Sequence, residues 1–374
     1  MSKALPGSAM KQPPQRVIVV VTRRIGDVLL ATPLIRSLKR AWPAARIDAL
    51  VFTGTQGVLL GNPDLDHVHT VPARPDFTTH AMLLARLFRR YDLALSLVPG
   101  DRPTLYAWLA GRRSSGLVID RPEQRWKQML LDQWVPFDPI NTHTVRAHLA
   151  LAEALGVPAL PEVVISWRAE DAAAVDALLG NACTPLAVLH PYPRFRYKMW
   201  HEQGWVAVAR WLIDNGFRVA LTGGADADER AYVDAIARQL PESALNLCGQ
   251  LTLGGIAALL ARAGFFVGPD TAITHMAAAA GVPTIALFGP SDPVKWGPWP
   301  HGHPAATNPW RRLGDQRNGN VQLIQGRAAC APCGHEGCER HVDSSSDCLQ
   351  AIPAQSVIDL LKGHALSGST RHNP

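Results

Sequence analysis

The chain has 374 residues, 47% of them hydrophobic, and a formal net charge of +6. That length exceeds one ordinary domain and points to two, of about 150–180 residues each. No apolar run approaches the ~18 residues a membrane-spanning helix needs, which excludes an integral helical membrane protein, and the mild basicity points to acidic partners in general.

In chain order, MSKALPGSAMKQPPQR has no apolar core of the kind a secretory signal carries, and residues 1–15 read as a flexible tail. RVIVVV (16–21) is β-branched and nearly continuous, the pattern of a buried parallel strand. A turn, TRRIGD, and a helical stretch to Lys39 follow; Thr32-Pro33 predicts that the regular helix begins there. Then come strand 47–52, a helix near 54–60, strand 67–71, a helix over 80–90 and strand 92–98. Helices near 146–155 and 170–179 close this half. Strands alternating with helices imply a parallel sheet.

The pattern restarts at PLAVLH (185–190). A helix over 203–215, strand 217–224, helices 227–239 and 253–262, strand FFVG, helix 271–280 and strand TIALFG follow. The expectation is two doubly wound domains, 16–168 and 180–350, with a C-terminal helix at 351–363 and a tail at 364–374. Ligands of such sheets bind beyond the carboxyl ends of the strands, here in an interdomain cleft.

Three stretches carry chemistry. In GPDTAITHMAA (268–278), Asp270 sits at the predicted N-cap, and Thr271 and His275 share a helix face. The helix N-terminus is a ready anion site, and small residues such as Ala272 allow close approach. The alternative is a plain cap and a core histidine. TRRIGDVLLATP lacks G-x-G-x-x-G, which argues against a dinucleotide there, but presents Asp27 directly after Gly26 as a candidate general base or as another cap. HPYPRFRYKMW (190–200) brings Arg194, Arg196 and Lys198 to a strand end, enough cations to meet a diphosphate.

These stretches, in this order, resemble glycosyltransferase family 9, the bacterial heptosyltransferases. RIGDVLLATPLIRSLK, the HP…K-x-W segment, the TGG turn and GPDTAITHMAAAAGVPTIALFGPSDP carry the resemblance over roughly residues 16–300. It implies an α/β GT-B fold: two Rossmann-like domains, acceptor on the first and nucleotide sugar on the second. It implies an inverting transferase using ADP-heptose, with a lipopolysaccharide inner-core acceptor, an acidic glycolipid. Carried over by residue, Asp27 is the base and Lys198 meets the donor phosphates. Asp270, Thr271, Ala272 and His275 bind the donor, Ala272 standing where the family has glycine. Leu251 flanks the adenine and Glu229 meets the ribose; Gly26 and Arg194 complete the substrate residues. Pro191-Tyr192-Pro193 departs from the family, so another nucleotide sugar remains open. The expected place is the cytoplasm, with peripheral inner-membrane contact and no nucleic-acid partner. A non-catalytic nucleotide- or glycan-binding protein is the reading from another class.

C330-x2-C333-x4-C338-x9-C348 lies beyond the family core. Four thiols at that spacing admit a structural zinc or iron; reduced thiols in an irregular loop are the other reading. No cofactor is expected in catalysis. Cys183 and Cys248 read as buried small residues. The acid pairs Asp64/Asp66 and Asp226/Asp228 read as loop or helix-start residues, and the Trp-rich 295–304 stretch as packing. Arg112, Arg113, Arg121, Arg125 and Lys127, with Trp126, form a basic stretch, either solvated or facing acceptor phosphates.

Overall fold

The computed structural model describes residues 12–180 and 184–368. It divides into two compact units: the first runs to Ser166 and takes in Gly302–Asn308, and the second comprises Trp167–His301 and the chain from Pro309.

Unit one holds β1 (Arg16–Val21), α1 (Ile25–Leu29), α2 (Thr32–Ala41), β2 (Arg46–Phe52), β3 (His67–Val71), α3 (Phe77–Leu87), β4 (Tyr91–Ser96), α4 (Asp101–Ala110), β5 (Gly111–Val118), α5 (Arg125–Leu130), β6 (Gln133–Pro136) and α6 (Thr144–Ala154). The sheet is parallel in order β3-β2-β1-β4-β5-β6. β1 lies at its centre with Val17–Val21 buried, as an uninterrupted β-branched run requires. Right-handed crossovers put α3, α4 and α5 on one face and α2 on the other. Packing agrees: α3 meets α4, α4 meets α5, and α6 returns to α2. Ile18 and Val20 share a core with Leu83, Leu87, Tyr106 and Ala107 beneath α3 and α4.

Unit two holds α7 (Ala169–Leu179), β7 (Leu186–Leu189), α8 (Glu202–Asp214), β8 (Arg218–Leu221), α9 (Ala227–Ala237), β9 (Leu245–Asn246), α10 (Leu253–Leu260), β10 (Ala263–Pro269), α11 (Ala272–Ala279), β11 (Thr284–Phe288), α12 (Pro293–Trp296), β12 (Gln316–Asn318), β13 (Val321–Gln325), α13 (Asp347–Gln350) and α14 (Ala354–Gly368). Its sheet runs β12-β13-β11-β10-β7-β8-β9, parallel except for β12 at the edge. Read from β9, the parallel part repeats the order of unit one: the strands flank a first central strand, β7, in opposite directions. Both units therefore have the Rossmann strand order, with a switch point between β1 and β4 in one and β7 and β10 in the other.

Several expectations change. The helix near 54–60 is a single 3-10 turn at Gln56–Val58. α4, β5, α5 and β6 have no counterpart in the sequence reading: β5 is GRRSSGLV, too polar at its start to read as a strand, and sheet pairing decides it. α7 belongs to unit two, where Asp171 accepts from Thr252 Oγ1 at 2.5 Å and Arg262 pairs with Asp176 at 2.7 Å. α14 continues through residues 364–368, which were expected in the tail. Residues 1–11, Cys183 and 369–374 lie outside the described residues. Among the described residues no helix is long and apolar enough to cross a membrane.

Candidate active site

In unit one the site begins where β1 ends at the switch point. The chain turns directly into α1, whose first turn contains Asp27. α1 stops after five residues because Thr32 opens a new helix, its hydroxyl donating to Leu29 O (2.7 Å) and accepting from Val164 N (2.9 Å). Of the two readings the sequence leaves for 23–31, a shaped loop or an irregular first turn, the short helix 25–29 is the second, and Thr32 is the first residue of α2, with Ala31 at its N-cap position. The Asp27 side chain is 11% exposed and lies 3.6 Å from Arg23 Nε. Behind it, buried His148 hydrogen-bonds Leu30 O through Nδ1 (2.9 Å). Burial holds His148 below its ordinary pKa, against the hydrogen bond to Leu30 O and, more weakly, the nearby Asp27 carboxylate. Gly26, half-buried, precedes Asp27.

In unit two the loops leaving β7 and β10 meet at the second switch point. The first carries Lys198 in a 3-10 turn, Arg196–Lys198. The second carries Asp270. Lys198 Nζ and Asp270 Oδ2 are 2.5 Å apart, with side chains 17% and 8% exposed. Burial alone would raise the Asp270 pKa. The Lys198 ammonium outweighs it, helped by the Ser291 hydroxyl and by His275, so the carboxyl titrates below its ordinary value.

Asp270 does not cap α11. Thr271 does, its hydroxyl accepting from Thr274 N at 3.4 Å, and Asp270 stands one residue earlier. Ala272 opens the helix, and His275 N reaches Thr271 O at 3.3 Å, so Thr271 and His275 do lie one turn apart. Both Thr274 and His275 are buried. Gly268 is required: a Cβ there would sit 2.6 Å from the Phe266 ring and 2.8 Å from Thr274 Oγ1.

The neighbouring loops supply the remaining expected residues. Glu229 lies in the first turn of α9 with its carboxylate against the glycine turn after β8, where a Cβ on Gly224 would meet Oε2 at 2.8 Å. Burial raises its pKa, against the Gly224 N–H and with help from Asp226. Leu251 is half-buried against the first turn of α10, 3.1 Å from the position of a Cβ on Gly255. Arg194 is exposed with its guanidinium 5.8 Å from the Phe195 ring centre; among its described contacts none reaches Lys198 or Asp270. His190, the residue after β7, is buried against Thr222 Oγ1 (3.1 Å), and burial lowers its pKa to about 4.

Sequence reasoning missed the bracing of the lysine loop. Ser346 Oγ donates to Tyr197 O, and Gln350 Nε2 to Met199 O, both at 2.7 Å. Trp200, fully buried, donates to Ile352 O at 2.9 Å. It also missed Ser291 and Arg23; Ser291 stands inside the quoted GPSDP, and Arg23 is one turn before Asp27.

The cysteine segment folds beside this brace. All five described cysteines are free. Cys338 N donates to Ser345 O (2.9 Å) and Asp347 N to Cys338 Sγ (3.4 Å), bringing Cys338 to the residue before Cys348. Burial first, then the neighbouring Cys333, Cys330 and Cys338, push the Cys348 thiol up to about 11. The four thiols are neighbours, but among the described residues no three His, Cys, Asp or Glu side chains are grouped as a metal centre. The acid pairs are structural: Asp64 pairs with Arg36 (2.9 Å), Asp66 accepts from Ile47 N (2.9 Å), and Asp226 caps α9. Trp299 is buried and Trp296 packs against a core cluster. Lys127 is not part of a solvated basic stretch; it is buried, bonded to Pro99 O (2.8 Å) and Asp101 (2.6 Å).

Residues 101–318 match the family described as Glycosyltransferase family 9 (heptosyltransferase), more than half of the chain. The chain belongs to glycosyltransferase family 9. It is accordingly a glycosyltransferase, with the GT-B fold of that family. Lipopolysaccharide heptosyltransferase 3 of Escherichia coli (strain K12) is 29% identical over 89% of this chain and 93% of its own length. A second Escherichia coli protein of that name is 30% identical over 73% and 83%. Among solved structures, the family 9 glycosyltransferase from Veillonella parvula DSM 2008 superposes with a TM-score of 0.77 at 19% identity, covering 96% of this chain and 100% of that one. The Escherichia coli heptosyltransferase WaaC with ADP-2-deoxy-2-fluoro heptose gives 0.65 at 21% identity over 93% and 99%. The iron-containing dodecameric glycosyltransferase TibC from enterotoxigenic E. coli gives 0.55 at 15% over 95% and 77%.

Proposed function

We propose that this family 9 enzyme moves a heptose from ADP-heptose to an inner-core acceptor of lipopolysaccharide, inverting the anomeric carbon. The observation that carries the reading is the Lys198–Asp270 pair at the switch point of the second sheet, one residue ahead of α11. A cation beside a helix N-terminus is a seat for a diphosphate. The names of the relatives, lipopolysaccharide heptosyltransferases, support the sugar and the acceptor, and the ADP-heptose analogue held by WaaC supports the donor.

In this mechanism Asp27 takes the proton of an acceptor hydroxyl as that oxygen attacks the anomeric carbon. The bond from that carbon to the β-phosphate oxygen breaks, and ADP leaves with the electron pair. Lys198 and the first turn of α11, with Thr271, Ala272 and His275, meet the charge that develops on the leaving diphosphate. Glu229 accepts from the ribose hydroxyls, Leu251 lies along the adenine, Arg194 adds positive charge near the phosphates, and Gly26 leaves room for the acceptor beside Asp27. No step passes through a metal. The same reading puts the protein in the cytoplasm, in peripheral contact with the inner membrane that holds its glycolipid acceptor.

The test is donor hydrolysis and transfer with ADP-heptose beside UDP- and GDP-sugars, on wild type and Asp27→Asn. Turnover of ADP-heptose is expected to fall by about 10²–10⁴ in the variant while ADP still binds. Equal turnover removes Asp27 from the mechanism. Turnover of only another nucleotide sugar keeps the family and changes the donor, a second reading favoured by Pro191-Tyr192-Pro193 in the loop after β7.

For the cysteines we propose a structural zinc or iron held by Cys330, Cys333, Cys338 and Cys348. Their spacing supports it, as does the description of TibC as iron-containing. Elemental analysis is expected to find about one metal ion per chain, lost in Cys348→Ser; a metal-free chain with unchanged melting temperature rules it out.

A further inference from the structure

Seven of the ten large apolar side chains exposed among the described residues lie between Phe77 and Met129. That segment forms α3, α4 and α5, the helices of one face of the first sheet. Phe77 is 88% and Met129 86% exposed, and Met82, Leu105, Trp108 and Trp126 accompany them. Such side chains concentrated on one helical layer signal a surface that something covers.

The charge of the same segment says what covers it. Residues 74–130 contain ten Lys and Arg against five Asp and Glu, a net +5 of the chain's +6. Four of the acids are engaged within the unit: Asp76 caps α3, Asp101 pairs with Lys127, Asp92 accepts from Gln15 N and Arg16 N, and Asp120 accepts from Gln128 Nε2. Arg86, Arg90, Arg121 and Arg125 are exposed and in no ion pair among the described residues. Arg89 lies 5.7 Å from the Trp108 ring centre, so cation and aromatic already share one place on this layer.

We propose that the outer face of α3, α4 and α5 docks on an anionic lipid bilayer. Aromatic and aliphatic side chains enter the interface between headgroups and acyl chains, while the arginines stay at the lipid phosphates. A soluble acidic saccharide would account for the arginines but leave Phe77 and Met129 unexplained. Membrane contact itself rests on the function proposed above; the choice of face does not, and a vesicle assay reads it without any sugar transfer.

The experiment is flotation of the full chain with vesicles of phosphatidylcholine containing phosphatidylglycerol, beside pure phosphatidylcholine vesicles. Partitioning to the anionic vesicles is expected to be at least about tenfold stronger and to fall with salt. Phe77→Ser with Met129→Ser, both on exposed positions, is expected to lower it at least about tenfold at unchanged melting temperature. Arg86→Ser and Arg125→Ser are each expected to lower it about fivefold. No binding to anionic vesicles overturns the proposal, as does undiminished binding of the serine pair. It is equally overturned if the wild-type chain is a dimer that the serine pair converts to a monomer, since the face would then cover a second copy.

Discussion

Lys198 and Asp270 come from loops 72 residues apart and form a largely buried ion pair, Nζ to Oδ2 at 2.5 Å. Each loop leaves one of the two strands that flank the switch point of the second sheet. The carboxylate therefore holds the ammonium next to the residue that precedes the cap of α11.

Lys198→Met takes the ammonium from the buried Asp270 carboxylate, leaving only the Ser291 hydroxyl and His275 beside it, and is expected to destabilise the fold by about 3 kcal/mol. Asp270→Asn, which retains polar atoms, is expected to cost about 1–2 kcal/mol. The double variant should recover part of the sum in urea denaturation, a direct measure of coupling. Affinity for ADP, by calorimetry, should drop at least about tenfold in both variants lacking Lys198 and stay low when stability returns.

Acid stability depends first on Asp48 in unit one. Asp48 is buried and accepts from Tyr91 Oη (2.7 Å) and Arg46 Nε (3.1 Å), with His69 Nε2 at 3.5 Å. Burial works to raise its pKa, but these three partners bring it down to about 2. A folded pKa below the unfolded one contributes stability above the unfolded value, so about 2 kcal/mol is present above about pH 4 and lost as pH falls toward 2. Asp270, also lowered, adds in the same direction. Asp48→Asn is expected to lose a similar amount at pH 7 and to flatten the acid limb of stability against pH, read by urea titration at each pH.

Gly268→Ala is expected to cost about 1–3 kcal/mol, because the new methyl would overlap the Phe266 ring and Thr274 Oγ1. The backbone shift falls two residues before Asp270, so ADP affinity should weaken along with the urea midpoint. An unchanged midpoint would mean the strand end relaxes freely.

Ser346→Ala with Gln350→Ala removes two hydrogen bonds to the carbonyls on either side of Lys198. Each is worth about 1 kcal/mol. The KM for donor is expected to rise severalfold with a small change in kcat, since the lysine is displaced rather than removed. A change confined to melting temperature would make the contacts purely structural.

The polar candidates were legible because each follows a strand whose apolar run is unmistakable. Asp27 follows RVIVVV, Lys198 follows PLAVLH, and Asp270 follows GFFVG. Arg194 was legible only as a charge, and the structure leaves it exposed over Phe195. β5 was not legible: its Arg112 and Arg113 hide a strand that pairing with β4 and β6 creates. Lys127 reads as one more solvated cation, yet it is buried on a carbonyl and a carboxylate from residues 99 and 101.

By itself, then, the sequence determined the alternation of strands and helices, the two-unit organisation and the family, because hydrophobic periodicity and short motifs are local properties. Only the tertiary structure decided that Lys198 is held by Asp270, that Thr271 and not Asp270 caps α11, and that α3 to α5 turn their apolar and arginine side chains outward together. Those outcomes depend on which strands lie side by side and on burial, which turns a charge into a group that must find a partner, and neither is encoded within one stretch of chain.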